Sequence, residues 1–206
     1  LDAILTDAPS DAGVLKIFSR TLSALAEGEL LQLQKAQKGD TVEADYLRII
    51  YNKTASLFEA ACLSAALSVG ADKQMEQAAI DYAVALGNAF QIQDDILDYS
   101  GSDSVGKPLG VDVLEQKMTI PLLGALANVS EQEQMRVRSL VNDIVGHPEY
   151  RDEIVTFVKE NGGLDYARMR LEEYVEKAVH ALAVLPDSQE KEYLETLAYF
   201  TGKRNN

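Results

Sequence analysis

Residue types that build disulfides and soft-metal sites are scarce in this chain of 206 residues. Its single cysteine, Cys62, excludes an internal disulfide and fits a reducing compartment. The alanines and leucines around Cys62 predict a packed core position rather than a nucleophile. The two histidines, His147 and His180, are too far apart in sequence for the ligand spacing of a zinc or haem site.

Positive charge and long apolar runs are also in short supply. The chain has 19 Lys+Arg against 33 Asp+Glu, a formal net charge of -14. This charge argues against nucleic acid and anionic membranes as partners, because their phosphates would be repelled. No apolar run reaches ~18 residues, so no transmembrane helix is expected. An apolar content of 47% supports a core of ordinary size, and we predict one domain over residues 1–206.

Helical spacing of apolar residues recurs along the chain, without strand-like alternation of useful length. We therefore predict an all-α fold. The predicted helices cover residues 14–36, 41–69, 72–100, 121–128, a stretch from 130 on, 164–185 and 187–200. Thr41, Asp72 and Ser130 are the expected N-caps of the second, third and fifth helices, and glycines and prolines mark the breaks between helices. Gly28 interrupts the first pattern, and a close helix neighbour or ligand would explain a glycine there.

Three aspartates cluster at the end of the third predicted helix. Asp94 and Asp98 share a helix face, and Asp95 lies about 100° round from Asp94. Like charges this close repel one another, and the negative end of the helix dipole disfavours them further. A bound cation would relieve this cost, and carboxylate oxygens suit a hard cation such as Mg²⁺.

Lysines flank the aspartates in sequence. Lys53 lies on the preceding predicted helix, Lys107 in a glycine-containing loop and Lys117 before the next apolar segment. Carboxylates mixed with lysines suggest a polyphosphate held through a metal on one side and by ammonium groups on the other. The alternative is a solvated acidic helix end followed by an ordinary loop.

Three segments carry a specific resemblance to a known family. Residues 90–101 (FQIQDDILDYSG) and 106–123 (GKPLGVDVLEQKMTIPLL) together resemble the second aspartate-rich motif of the trans-prenyltransferases, the polyprenyl diphosphate synthases. Residues 52–58 (NKTASLF) resemble the family's KT segment, and 25–32 (LAEGELLQ) its GE..Q segment. The resemblance implies an all-α bundle of the isoprenoid synthase type.

The resemblance also implies a role for each matching residue. The side chains that would bind Mg²⁺ and bridge it to an allylic diphosphate are Asp94, Asp95 and Asp98, with Asp94 the most direct. Those that would contact diphosphate oxygens are Lys53, Lys107 and Lys117. Those that would support the site by hydrogen bonding are Thr54 and Gln91. Phe90 would face the prenyl chain or its neighbourhood, and Gln32 is a weaker candidate behind the site.

The activity implied is condensation of an allylic prenyl diphosphate with isopentenyl diphosphate, by Mg²⁺-assisted ionisation, in a cytoplasmic homodimer. One departure is large, because the family carries two aspartate-rich motifs and this sequence contains one DDxxD. The chain also begins at Leu1, without an initiator methionine. We therefore expect a C-terminal part of a synthase, obtained by cloning or proteolysis, that lacks N-terminal helices and is inactive alone.

Three other functions compete with this interpretation. The chain could be a non-catalytic or regulatory subunit of a heteromeric synthase, which the intact aspartates and lysines disfavour. It could be a terpene cyclase or head-to-head condensing relative, but the lysines of the GKPLG and QKMTIP segments favour chain elongation. A generic helical adaptor would leave the clustered aspartates unexplained.

Overall fold

The computed structural model describes residues 11–100 and 109–203, with side chains from residue 13 onward. Every regular element within these two ranges is helical, which confirms the predicted fold class. None of the described helices is long and apolar enough to cross a membrane. The helices are α1 (Asp11–Lys38), α2 (Glu43–Ile50), α3 (Ser56–Ser68), α4 (Lys73–Ser100), α5 (Val111–Leu114), α6 (Ile120–Ala127), α7 (Glu131–Asp143), α8 (Tyr150–Glu160), α9 (Gly163–Ala181) and α10 (Gln189–Lys203).

Helix α1 runs without a break through Gly28, and the close neighbour expected there is present. A Cβ on Gly28 would stand 2.7 Å from Asn52 Cβ and 2.8 Å from Lys53 Cγ. Real Cβ atoms essentially never come this close, so glycine is what lets α1 approach the residues between α2 and α3.

The second predicted helix is divided into α2 and α3 by a π-helical turn, Tyr51–Ala55. Its N-cap is Val42 rather than the predicted Thr41, because the Asp45 side chain accepts from the backbone N–H of Val42 at 3.2 Å. The π turn carries the first four residues of the KT segment and adds a residue to the helical turn, a feature frequent at functional sites. Gly87 lets α4 pack closely against the π turn, since a Cβ on Gly87 would stand 2.5 Å from Ala55 Cα.

Helix α4 is the central element and is buried on several sides, mainly against α3 and α9. Its N-cap is Asp72 as predicted, whose carboxylate accepts from the backbone N–H of Met75 at 2.9 Å. The side chains of α4 that form the core are Tyr82, Ala85, Leu86, Ala89, Ile92, Ile96 and Tyr99. A helix surrounded in this way holds the aspartates at its C-terminal end in a fixed position.

The C-terminal half packs α6 and α8 against α9 and adds α10. Gly124 of α6 allows close contact with α9, since a Cβ there would stand 2.5 Å from a ring carbon of Tyr166. Ser130 caps α7 as predicted and accepts from the N–H of Glu133. The last helix differs from the prediction at both ends, because Ser188 caps it and it ends at Lys203.

Candidate functional site

A cavity of about 250 Å³ opens between α1, α2, the π turn, the end of α4 and the segment between α5 and α6. Polar and charged side chains dominate its wall. They are Gln32, Lys35, Thr41, Tyr46, Lys53, Gln91, Asp94, Asp95, Asp112, Gln116, Lys117 and Thr119. The sequence-predicted residues Lys53, Gln91, Asp94, Asp95 and Lys117 are therefore brought together from three parts of the chain.

Asp95 is the most deeply buried charged residue of the site, with 2% of its surface exposed. Its carboxylate accepts from the Tyr46 hydroxyl at 2.6 Å and from the Gln91 side-chain amide at 3.0 Å. Burial raises the pKa of Asp95 from 3.8 to about 8, although the Tyr46 hydrogen bond lowers it. The negative charges of Asp112 and Asp94 raise it further. Burial and the neighbouring carboxylates thus both disfavour ionisation of Asp95.

A chain of hydrogen bonds links Asp95 to the KT segment. Gln91, which donates to Asp95, accepts from the Thr54 hydroxyl at 2.9 Å. Thr54 lies in the π turn next to Lys53, so the π turn and α4 are joined by polar side chains at the cavity. Thr54 and Gln91 are thus hydrogen-bonded to each other, and their predicted support of a diphosphate site stays a prediction.

Asp94 and Asp98 occupy different positions although they share a helix face. Asp94 is exposed and lines the cavity. Asp98 holds α5 instead, because its carboxylate accepts from the backbone N–H groups of Val111 at 3.0 Å and Asp112 at 3.2 Å. Within the described ranges, no three His, Cys, Asp or Glu side chains are arranged to hold a metal ion. The predicted metal triad stays a prediction.

Lys117 reaches the cavity from the segment after α5. Its ammonium lies 3.2 Å from Asp112 and 2.5 Å from Glu115. Burial lowers the pKa of Lys117, but the bond to Glu115 and the charge of Asp112 outweigh it, so the net shift is upward. Gln116, just before it, has φ +58°, a left-handed conformation that costs an L-residue free energy. This kink directs the chain from α5 into α6 beside the cavity.

Lys53 forms an ion pair with an acidic residue on another helix, α1. Its ammonium lies 2.6 Å from Glu29 and donates to Gln32 at 2.8 Å, both on α1. Lys53 and Gln32 line the cavity, so the predicted position of Gln32 behind the site is in fact in its wall.

The remaining two predicted residues have separate outcomes. Phe90 packs with Phe58 of α3, with ring centroids 5.9 Å apart, and is outside the cavity lining. Lys107 lies outside the described residues.

Sequence reasoning missed Tyr46 and the role of Asp112 at this site. Tyr46 carries no sequence signal, because a tyrosine in an apolar helix is typical of core. Asp112 belongs to the recognised 106–123 segment, and its spacing from Lys117 was the available signal. Together the wall presents carboxylates and ammonium groups facing one cavity, an arrangement suited to an anion and a cation bound side by side.

Comparison with known proteins identifies relatives over most of the chain. Residues 3–158 match the family model described as polyprenyl synthetase. Octaprenyl diphosphate synthase of Haemophilus influenzae is 41% identical over 193 residues, which are 93% of this chain and 58% of the relative. The octaprenyl diphosphate synthase of Escherichia coli is 36% identical over 193 residues, 93% of this chain and 59% of the relative.

A solved structure agrees with this finding. Polyprenyl synthase from Caulobacter crescentus, complexed with calcium and isoprenyl diphosphate, superimposes with a TM-score of 0.82 at 36% identity. The match covers 93% of this chain and 59% of that one. The chain therefore spans under three fifths of the length of the relatives that it matches here.

Proposed function

The chain belongs to the polyprenyl synthetase family, and on that premise we propose that its cavity holds the diphosphate of an allylic prenyl diphosphate for condensation with isopentenyl diphosphate. One observation carries the proposal. The carboxylates of Asp94 and Asp95 and the ammonium groups of Lys53 and Lys117 line a single cavity, although they come from distant parts of the sequence. The calcium and isoprenyl diphosphate in the Caulobacter relative support it.

A divalent metal fits the donor set. Carboxylate oxygens are the ligands that Mg²⁺ prefers, usually one or two of them with water and substrate phosphate. The pKa of Asp95 is raised first by burial and then by the negative charges of Asp112 and Asp94, and a bound cation would favour the ionised carboxylate. Asp94 would be the most direct ligand and Asp95 the second, while Asp98 would have to release its backbone hydrogen bonds to join them. When bound, Mg²⁺ supplies Lewis-acid stabilisation of the departing pyrophosphate.

The chain's own side chains bind and orient the diphosphate. Lys53 and Lys117 would donate to its oxygens, and Lys107, which lies outside the described residues, is proposed to do so as well. Thr54 and Gln91 hold the π turn in register with Asp95. Positioned donors of this kind stabilise charge as it develops on a leaving group.

The proposed reaction needs no nucleophilic side chain. The bond between the allylic carbon and the diphosphate oxygen breaks, and the double bond of isopentenyl diphosphate attacks that carbon. A carbon–carbon bond forms, and one proton is lost to restore a double bond. Phe90, directly before Gln91, and Phe58, one helix turn after Thr54, form an aromatic pair, and we propose that they adjoin the prenyl chain.

Isothermal titration of the chain with a diphosphate analogue, with and without Mg²⁺, tests the site. We expect metal-dependent binding that Asp94→Asn or Lys117→Gln weakens at least about tenfold, since each removes a charged contact. Asp81→Asn is the matched control, because Asp81 lies on the exposed surface of the same helix, away from this cavity. Binding that ignores Mg²⁺, or that Asp94→Asn affects no more than Asp81→Asn, would contradict the proposal.

A homodimer and a cytoplasmic location are proposals from the family resemblance. Analytical ultracentrifugation of the purified chain tests the first, and we expect a species of twice the chain mass. Fractionation of cells that express the protein tests the second.

A further inference from the structure

The proposed function assigns no role to the GE..Q segment of α1. The glycine, glutamate and glutamine of this segment, Gly28, Glu29 and Gln32, all lie against Lys53. Gly28 and Gln32 lie one turn apart on one helix face, and Glu29 lies about 100° round from Gly28 and three residues before Gln32. This face lies against the π turn. Gly28 admits the stem of Lys53, with a hypothetical Cβ 2.8 Å from Lys53 Cγ, and Glu29 and Gln32 contact its ammonium.

The contacts use up two of the three hydrogens that a lysine ammonium can donate. Glu29 Oε2 lies 2.6 Å from Lys53 Nζ and Gln32 Oε1 lies 2.8 Å from it. One N–H remains for an acceptor in the cavity, which Lys53 lines. Without partners on α1, a lysine side chain would rotate among many conformers and would lose that freedom only when an anion binds.

We propose that Glu29 is a positioning residue that, together with Gln32, holds Lys53 with one N–H free to donate to a diphosphate oxygen. This role rests on the proposed function. Glu29 itself lies outside the cavity lining and its side chain is 55% exposed, so it acts through Lys53 rather than on the anion.

The proposal predicts a change in anion affinity that is opposite in sign to the change expected from charge repulsion alone. Removing a carboxylate near an anion site should tighten anion binding if the long-range field decides the outcome. If Glu29 positions Lys53, removing it should weaken binding, because Lys53 must then be ordered by the anion. The sign of the change therefore separates the two roles.

Inorganic pyrophosphate with Mg²⁺ is the probe, titrated into the 206-residue chain by calorimetry. Glu29→Ala is compared with Glu27→Ala, an exposed glutamate on the same helix, which removes the same charge. We expect Glu29→Ala to weaken binding about three- to tenfold and Glu27→Ala to change it by less than about twofold. Glu29→Gln keeps an acceptor oxygen, so its affinity should lie between those of the wild type and Glu29→Ala.

A second measurement does not depend on the anion. The rate at which limiting acetic anhydride labels Lys53, normalised to the exposed Lys73, is read by mass spectrometry in each variant. We expect Glu29→Ala to raise the relative labelling of Lys53 about threefold or more, since the amine loses a partner, and Glu27→Ala to leave it unchanged.

The outcomes separate this proposal from the one that it rests on. Absence of Mg²⁺-dependent pyrophosphate binding in the wild type would overturn the proposed function and this role together. Normal wild-type binding that Glu29→Ala leaves unchanged or tightens would overturn the positioning role alone. Unchanged labelling of Lys53 in Glu29→Ala would do the same, because Glu29 would then not hold the amine.

Discussion

From Ile120 to Leu126 the chain buries every residue among apolar neighbours, whereas at the end of α4 it buries the carboxylate of Asp95. The first region, the α6 core, contains no ionisable side chain, and Gly124 is adapted to the ring of Tyr166. The second region, the cavity wall, gathers Asp94, Asp95 and Asp112. Only a few residues of chain separate Lys117 in the wall from α6.

The comparison indicates that the α6 core stabilises the folded state and that the cavity wall destabilises it. Burial of apolar side chains in the α6 core contributes favourable free energy in proportion to area. The cavity wall opposes folding, because the Asp95 carboxyl loses its water on burial and can ionise there only at a cost in free energy. A functional reason for the wall is the natural explanation, since unfavourable features persist where they serve a site.

The largest expected effect on stability comes from a substitution that leaves a cavity in the α6 core. Leu122 is fully buried, so Leu122→Ala should lower the free energy of unfolding by about 2–5 kcal/mol, measured by urea denaturation. The matched control is Leu30→Ala on α1, where the leucine is 68% exposed and the loss should be under about 0.5 kcal/mol. Equal losses in the two variants would contradict the assignment of the stabilising core to α6.

The next effect is a pH dependence that originates in the cavity wall. The folded chain retains the Asp95 proton up to about pH 8, whereas an unfolded aspartate releases it near 3.8. The folded state therefore binds more protons between these values, and the free energy of unfolding should fall as the pH rises through this window. The full loss is on the order of a few kcal/mol and applies without added metal.

Asp95→Asn sharpens this prediction by removing the titrating group. The variant should lose most of the pH dependence between 4 and 8 and should be more stable than the wild type near pH 9, by urea denaturation without metal. It should also lose Mg²⁺-dependent diphosphate binding. A wild-type stability that stays constant across the window, or rises, would show that Asp95 is not buried as described.

A smaller effect concerns the hydroxyl that Asp95 accepts from. Tyr46→Phe leaves the buried carboxylate with Gln91 as its remaining described donor and should cost about 1–2 kcal/mol near pH 8. Tyr82→Phe is the control, since Tyr82 donates to the uncharged backbone oxygen of Leu194 at 2.9 Å. The cost of Tyr46→Phe should grow as the pH rises, and that of Tyr82→Phe should not. Parallel pH profiles would argue against the charged partner.

The smallest effect is a gain of stability. Gln116→Gly relieves the left-handed conformation at φ +58° and should raise the free energy of unfolding by about 1 kcal/mol. The variant also loses the hydrogen bond from the Gln116 amide to the Asn142 backbone oxygen, which lies at the surface. Gln134→Gly, inside α7, should instead lose about 1 kcal/mol. A loss at both positions would mean that the hydrogen bond outweighs the strain.

Much of the fold was predictable because its signals are local. Helical periodicity, the N-caps at Asp72 and Ser130, and the glycine and proline breaks each act within a few residues. The errors arose where the local pattern competes with contacts to other parts of the chain. Thr41 lost the N-cap position to Val42, while its own carbonyl accepts from Arg138 of α7 at 3.1 Å. The π turn could not be predicted from its own residues, because its conformation depends on how closely α1 and α4 approach it at Gly28 and Gly87.

The site was predictable in its charged residues and not in their partners. Asp94, Asp95, Lys53 and Lys117 were identified from clustering and motif, and they line one cavity. Asp98 was placed with the other two aspartates by helix geometry, but the first two residues of α5 supply backbone N–H groups that donate to its carboxylate. No pattern along the chain reports which backbone a distant loop will present.

By itself the sequence determined an all-helical chain with a costly acidic cluster, because helix periodicity and like-charge repulsion depend on neighbours three or four residues apart. Only the tertiary structure decided what surrounds that cluster. The structure buried Asp95 beneath Tyr46, joined Lys53 to Glu29 across two helices, and turned Asp98 toward α5. These choices depend on contacts between residues far apart in the chain, where packing fixes which groups lose their water and which partners replace it.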